Sequence, residues 1–188
     1  MKSIDVTALG ELLIDFTENG KSAQGNPVME ANPGGAPCNV LSMLTRLGKE
    51  TDFIGKVGND MFGVQLKDAL KEVGIGTLGL KFDCENHTTL AFVHTREDGD
   101  REFSFYRNPG ADMMLEEEDL EEELLQNCRI FHFGSLSMTH EKCRKATKKA
   151  IEIAKESGAI ISFDPNLREP LWNSLEEARE QIDYGMKQ

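Results

Sequence analysis

Apolar residues follow two rhythms along this chain. Compact apolar runs at Ile4 to Leu9, Thr51 to Val57, Arg129 to Phe133 and Ala159 to Phe163 read as buried strands. Between them lie stretches spaced by three and four residues, the spacing of a helix with one packed face. Pro37 to Leu47 is the first, with Val40, Leu41, Leu44 and Leu47 as core positions and Gly48 as its stop. Met61 to Val73 is the second, with Phe62, Leu66, Ala69, Leu70 and Val73 on one face, Asp60 at its start and Gly74 as its cap. Glu141 to Ser157 is a basic-faced third helix stopped at Gly158. Ser174 caps a last helix with Glu176 and Glu177 in its first turn. Strands alternating with helices predict an α/β fold with a mostly parallel sheet covered on both faces. Ligands then belong at the carboxyl ends of the strands.

Two stretches break that rhythm. Thr88 to His94 alternates with period two, Glu97-Asp98-Gly99-Asp100 makes a turn, and Arg101 to Arg107 alternates again. This predicts a hairpin outside the central sheet. Phe16 to Met29, polar and glycine-containing, reads as another covering piece. The acidic block 116–123 has Leu115, Leu120, Leu124 and Leu125 interleaved, which predicts a solvated helix face rather than a metal site.

The bulk numbers narrow the partners. At 188 residues, 39% hydrophobic and 29% charged, the chain suits one domain with a real core. A net charge of −12 leaves no surplus of Lys and Arg to neutralise nucleic acid or an anionic membrane. It leaves room for a nucleotide, whose phosphates can rest on backbone N–H groups and a few cations. Cys38, Cys84, Cys128 and Cys143 are scattered, so free thiols are expected and a zinc site is not. No apolar run is long enough for a signal peptide or a bilayer span, and a cytoplasmic protein is expected.

Chemistry concentrates in Pro33-Gly34-Gly35-Ala36-Pro37-Cys38-Asn39. Two adjacent glycines before a helix let backbone N–H groups approach a ligand, and the helix start leaves donors unpaired. Asn39 offers an amide donor and a carbonyl acceptor suited to a polyol. Upstream, Gly10-Glu11-Leu12-Leu13-Ile14-Asp15 reads as a strand end carrying a carboxylate that can accept from two vicinal hydroxyls. Gly74-Ile75-Gly76-Thr77-Leu78-Gly79 fits the dinucleotide fingerprint, yet a helix precedes it and an extended segment follows, the reverse of what that motif needs. His132, inside an apolar strand, reads as a hydrogen-bonded core residue.

With Phe53 to Gly63, Phe105-Tyr106-Arg107-Asn108-Pro109-Gly110-Ala111-Asp112 and Phe163-Asp164-Pro165-Asn166-Leu167-Arg168 added, the whole chain resembles the PfkB (ribokinase-like) carbohydrate kinases, and their fructokinase branch in particular. The resemblance implies a ribokinase-like α/β domain over 1–188, with lid segments at about 12–33 and 88–110 and a carboxyl-terminal nucleotide-binding part that is absent. It implies transfer of the ATP γ-phosphate to a sugar hydroxyl, with Mg2+ as cofactor, D-fructose as the sugar and a homodimer through the lid. Asp15, Gly34, Gly35, Asn39, Phe105 and Arg107 would bind the sugar, with Phe103 or Phe105 over its apolar face. Asn166 and Arg168 would face the phosphates, Arg168 as transition-state stabiliser, with Asp164 fixing their loop. The family's catalytic Asp lies in a Gly-Ala-Gly-Asp segment that does not occur here, so the base is expected downstream and the isolated chain is expected to be inactive. A non-catalytic sugar-binding or regulatory remnant, and a kinase for 2-keto-3-deoxygluconate or ribose, stand as alternatives.

Overall fold

The computed structural model describes residues 2–95 and 101–188, so the turn expected at 97–100 lies outside the described residues. In chain order the elements are β1 (Ile4–Leu9), β2 (Leu13–Lys21), β3 (Pro27–Gly34), α1 (Ala36–Arg46), β4 (Thr51–Gly58), α2 (Met61–Val73) and β5 (Gly76–Asp83). There follow β6 (Leu90–Thr95), β7 (Arg101–Tyr106), α3 (Glu122–Gln126), β8 (Cys128–Gly134), α4 (Glu141–Glu156), β9 (Ile160–Asp164) and α5 (Leu175–Met186). Five strands form a wholly parallel sheet in the order β5-β4-β1-β8-β9. The others form a four-stranded mixed sheet, β3-β2-β6-β7.

Alternation along the parallel strands feeds two cores. Val6 and Ala8 of β1 with Phe53 and Val57 of β4 pack under Leu41 of α1 and Leu66 and Leu70 of α2. Leu9 and Ile54 face the other way, joining Phe131, Phe133 and the α4 row Cys143, Ala146, Ala150 and Ala154. Asp60 caps α2, and its carboxylate also accepts from the N–H (2.8 Å) and hydroxyl (2.8 Å) of Thr88. One side chain thereby ties the parallel sheet's helix to the strand that enters the mixed sheet.

Three expectations change. In α1 only Pro37, Cys38 and Leu41 are buried, while Val40 is 37% and Leu47 is 68% exposed. At about 100° per residue, Val40 and Leu47 fall on a flank turned away from Leu41, so the helix's apolar arc is wider than the face the sheet covers. The acidic block is not one helix: it makes a 3-10 turn at Glu117–Asp119 and then the short α3. Its leucines point inward, with Leu115, Leu124 and Leu125 buried. Asp15 does not end a strand of the parallel sheet; that strand stops at Leu9, and Asp15 lies inside β2 of the mixed sheet. All four cysteines are free thiols.

Candidate functional site

The chain leaves β1 at Leu9 and enters the second sheet at Leu13, so β2 starts at the carboxyl edge of the parallel sheet. Asp15 pairs with Asn32 on β3 and with Ala91 on β6, and Ala91 pairs with Phe105 on β7. One step along, Thr17 pairs with Val93 and Val93 with Phe103. Directly opposed strand residues share a face, so both rows look the same way. The small Ala91 between Asp15 and Phe105 keeps the floor low. The result is a hollow of about 620 Å³ lined by Asp15, Thr17, Asn32, Val93 and Phe103, within the range of a small-molecule site.

Arg168, in the loop after β9, reaches across to this hollow and places its guanidinium carbon 5.8 Å from the centre of the Phe103 ring. The two sheets thus meet over one aromatic ring. Burial pushes the Asp15 carboxyl above the usual carboxylate range, and the Arg168 charge draws it partway back. Asp164 accepts from the N–H of Asn166 at 3.1 Å, which fixes the start of the Arg168 loop as expected. Asn166 stays at the end of β9 and is not in the wall of the hollow.

The glycine turn lies against Asp15, at the edge of the hollow. A Cβ on Gly34 would overlap Asp15 Oδ2, so only a bare backbone leaves that carboxylate in place. Gly35 has φ 120°, and a Cβ there would run into the Glu11 carbonyl oxygen. Gly35 is the N-cap of α1 and offers no side-chain acceptor. Glu11 supplies one instead: its Oε1 accepts from the Ala36 N–H at 2.9 Å.

Three residues expected to bind the sugar lie elsewhere. Asn39 is exposed and borders a separate crevice between α1 and α2, which reaches the site only through Gly34. Arg107 is buried and committed: Nε donates to Asp112 Oδ2 at 2.8 Å, Nη1 to Thr139 Oγ1 at 2.8 Å, and Nη2 to the Leu136 carbonyl at 3.1 Å. Burial works against its charge, and the Asp112 carboxylate more than compensates, holding its pKa above the ordinary value. Phe105 stacks on Phe103 at 6.0 Å, but it borders a second hollow beside Asp60, Phe62 and Tyr106 rather than the one Asp15 lines. His132 is buried with Nδ1 3.0 Å from Ser162 Oγ, and burial lowers its pKa, in keeping with a neutral core residue.

Sequence reasoning passes over Thr17, Asn32 and Glu11. The first two carry a signal in retrospect: Asp15 and Thr17 are two apart, and a polar Asn32 faces them across a strand pair. Asn32 Nδ2 donates to Thr17 Oγ1 at 3.0 Å, which ties the two strands at the rim. Glu11 carries no signal, because its partner lies 25 residues away.

Comparison with known proteins places the chain in a family. The family model for pfkB family carbohydrate kinases matches residues 3–186. "Probable fructokinase-3" of Arabidopsis thaliana is 50% identical over 179 residues, 94% of this chain and 52% of that protein. "Fructokinase-2" of Solanum lycopersicum is 50% identical over 94% of this chain and 55% of its own length. Among solved structures, a fructokinase from Xylella fastidiosa superposes with a TM-score of 0.92 at 35% identity, covering 99% of this chain and 57% of that one. The chain therefore spans about half the length of the relatives it matches. A family match over nearly every residue, with the parallel sheet, the mixed sheet and the glycine turn all in place, shows that this chain belongs to the pfkB family of carbohydrate kinases.

Proposed function

We propose that this chain carries the sugar-binding half of an ATP-dependent fructokinase, in which a furanose hydroxyl accepts a phosphoryl group. The observation that carries the reading is the hollow where the Asp15 carboxylate, the Phe103 ring and the Arg168 guanidinium converge above Gly34. A carboxylate beside a bare glycine turn accepts from paired hydroxyls, and an aromatic ring covers the apolar face of a sugar ring. Thr17 and Asn32 add polar edges at the rim. The mixed sheet would act as the lid that keeps water from the reacting hydroxyl.

The nucleotide side fits in part. Arg168 is a partly exposed cation at the mouth of the hollow, placed where it would balance charge on a transferring phosphoryl group, with Asn166 nearby on the same loop. Bound MgATP would supply that group; a relative's structure, the Xylella fastidiosa fructokinase, was solved with ATP. Asp15 is engaged in holding sugar, and the 188 residues contain no Gly-Ala-Gly-Asp segment, so deprotonation of the hydroxyl is assigned to a residue outside them. A cytoplasmic location and a dimer through the mixed sheet belong to the same proposal. Val28 and Met29, 39% and 37% exposed on β3 at the edge of that sheet, support the dimer.

A non-catalytic sugar-binding remnant is the second reading. Calorimetric titration of the purified chain with D-fructose, D-ribose and 2-keto-3-deoxygluconate, followed by a phosphoryl-transfer assay with MgATP, tests both. Fructose is expected to bind best, with negligible turnover. Binding of none of the three sugars overturns the sugar site, and turnover at an ordinary kinase rate overturns the assignment of the base elsewhere. ATP binding to the chain favours the kinase half, and its absence favours the remnant.

A further inference from the structure

Glu11 is the residue around which the two sheets and the glycine turn are joined. It sits in the three-residue link between β1 and β2 and is 3% exposed. Its Oε1 accepts from Ala36 N–H, the first residue of α1, and its own carbonyl oxygen occupies the space beside Gly35. Its Oε2 is buried without a hydrogen-bond partner among the described residues. The N-cap position is Gly35, which has no side chain to cap α1, and among the described residues Glu11 supplies the acceptor. A buried carboxyl group with an unpaired oxygen is costly, and a structural cap alone is supplied more cheaply by Ser or Asp at the N-cap itself. Moving the acceptor to Glu11 leaves the N-cap free to be glycine, which the φ of 120° and the Glu11 carbonyl beside it require. Gly34, one residue earlier, is the one that lies against Asp15.

We propose that Glu11 is a positioning residue for the sugar site: by capping α1 from outside the helix, its carboxyl group holds the Gly34–Gly35 turn against Asp15. The proposal rests on the sugar reading of the Asp15 hollow. It also makes the grip responsive to protons near neutrality. Burial drives the Glu11 carboxyl up to about 7, the Ala36 N–H pulls it down, Asp112 raises it and Arg107 lowers it. The charged and titratable groups facing it are thus Asp112 and Arg107 in the segment after β7, and Cys38 on α1, whose thiol Glu11 helps push up. An ionised carboxylate at the positive end of a helix accepts more strongly than a neutral acid. The Ala36 hydrogen bond therefore strengthens as pH rises through neutrality, while the burial of the new charge costs the fold as a whole stability.

The test follows the Ala36 backbone amide of the full 188-residue chain by NMR from pH 5.5 to 8.5, alongside D-fructose affinity. The Ala36 amide is expected to shift with a midpoint of about 7, and Glu11→Gln, which keeps an acceptor but cannot ionise, is expected to abolish that shift. Wild-type affinity is expected to rise between pH 6 and pH 8, with the rise lost in Glu11→Gln. Glu11→Leu, which removes the cap, is expected to weaken fructose binding roughly fivefold or more. An Ala36 amide that stays still, or that titrates identically in Glu11→Gln, overturns the proposal. Should Glu11→Leu fail to fold, the comparison of wild type with Glu11→Gln decides. A chain whose Ala36 amide titrates through Glu11 while fructose fails to bind upholds the cap and sinks the sugar reading alone.

Discussion

Gly34 and Asp15 compete for the same space: a β-carbon on the glycine would clash with the Oδ2 of the aspartate. The two lie on adjacent antiparallel strands, β3 and β2, and the missing side chain is what lets the carboxylate lean over the glycine turn. The atom in the way is the far end of a movable side chain. Gly34→Ala should therefore swing Asp15 aside at small cost to the fold and large cost to the site. We expect thermal stability within about 1 kcal/mol of wild type and fructose affinity down by at least tenfold. Unchanged affinity would separate the turn from the sugar.

Gly35 should behave in the opposite manner. Its φ of 120° and the Glu11 carbonyl beside it leave a side chain nowhere to go, and backbone rather than a flexible tip must yield. Gly35→Ala should cost on the order of 2–3 kcal/mol of stability, read by denaturant unfolding. A neighbouring pair of glycines would then be divided into one needed for binding and one needed for folding.

Arg107 and Asp112 form a buried ion pair, with side chains 3% and 2% exposed. Arg107→Leu leaves a buried carboxylate without its partner and should destabilise the chain by about 3–5 kcal/mol. The double variant Arg107→Leu/Asp112→Leu should recover much of that loss, because neither charge is then stranded. A single variant as stable as wild type would show that the pair contributes nothing to the fold.

The placement of Arg107 shows where sequence reading stops. An arginine after an alternating strand looks the same whether it faces a ligand or turns inward to meet Asp112, because the choice depends on Thr139 and Leu136, some thirty residues on. Elements held by local periodicity were legible: Ile4 to Leu9 and Met61 to Val73 match residue for residue, whereas the segment after Gly74, read only as extended, turns out to be the edge strand β5. Pattern alone could not say which part of an apolar helix arc is covered, so Val40 and Leu47 emerged on the surface. Asp15 and Gly34 were legible as residue types, while their direct contact needed the β2–β3 register. Phe103 and Phe105 share one face of an alternating strand, and only the three-dimensional lining of the two hollows separates them, Phe103 beside Asp15 and Phe105 beside Tyr106.

Removing Arg168 should change how Asp15 titrates. Its positive charge draws the Asp15 carboxyl down, against burial, which raises it. In Arg168→Ala the carboxyl should titrate at higher pH, so the acid limb of fructose binding should move upward. The limb is read from calorimetric affinities between pH 4 and pH 7. A limb that stays in place would show that the guanidinium and the carboxylate do not sense each other.

Glu11 sets a slope in stability against pH. Its folded pKa of about 7 lies above the ordinary 4.5, so between these values the folded chain binds more protons than the unfolded one. Its contribution is fully present below the lower value and is lost as pH rises through the upper, by about 3 kcal/mol. Asp15 and Asp52, both raised, act in the same direction, and His132, lowered, acts in the opposite one. The difference between wild type and Glu11→Gln isolates the Glu11 part, and denaturant unfolding from pH 4 to pH 8 should show the wild type losing stability relative to the variant. Parallel curves would contradict the assignment.

The account as a whole is tested most directly by a crystal structure of this chain soaked with D-fructose. It predicts one sugar in the hollow of the mixed sheet, two of its hydroxyls donating to the Asp15 carboxylate, Gly34 beneath it and Phe103 against its ring. A sugar seated instead in the second hollow, beside Asp60, Phe62 and Tyr106, with the Asp15 hollow empty, would contradict it.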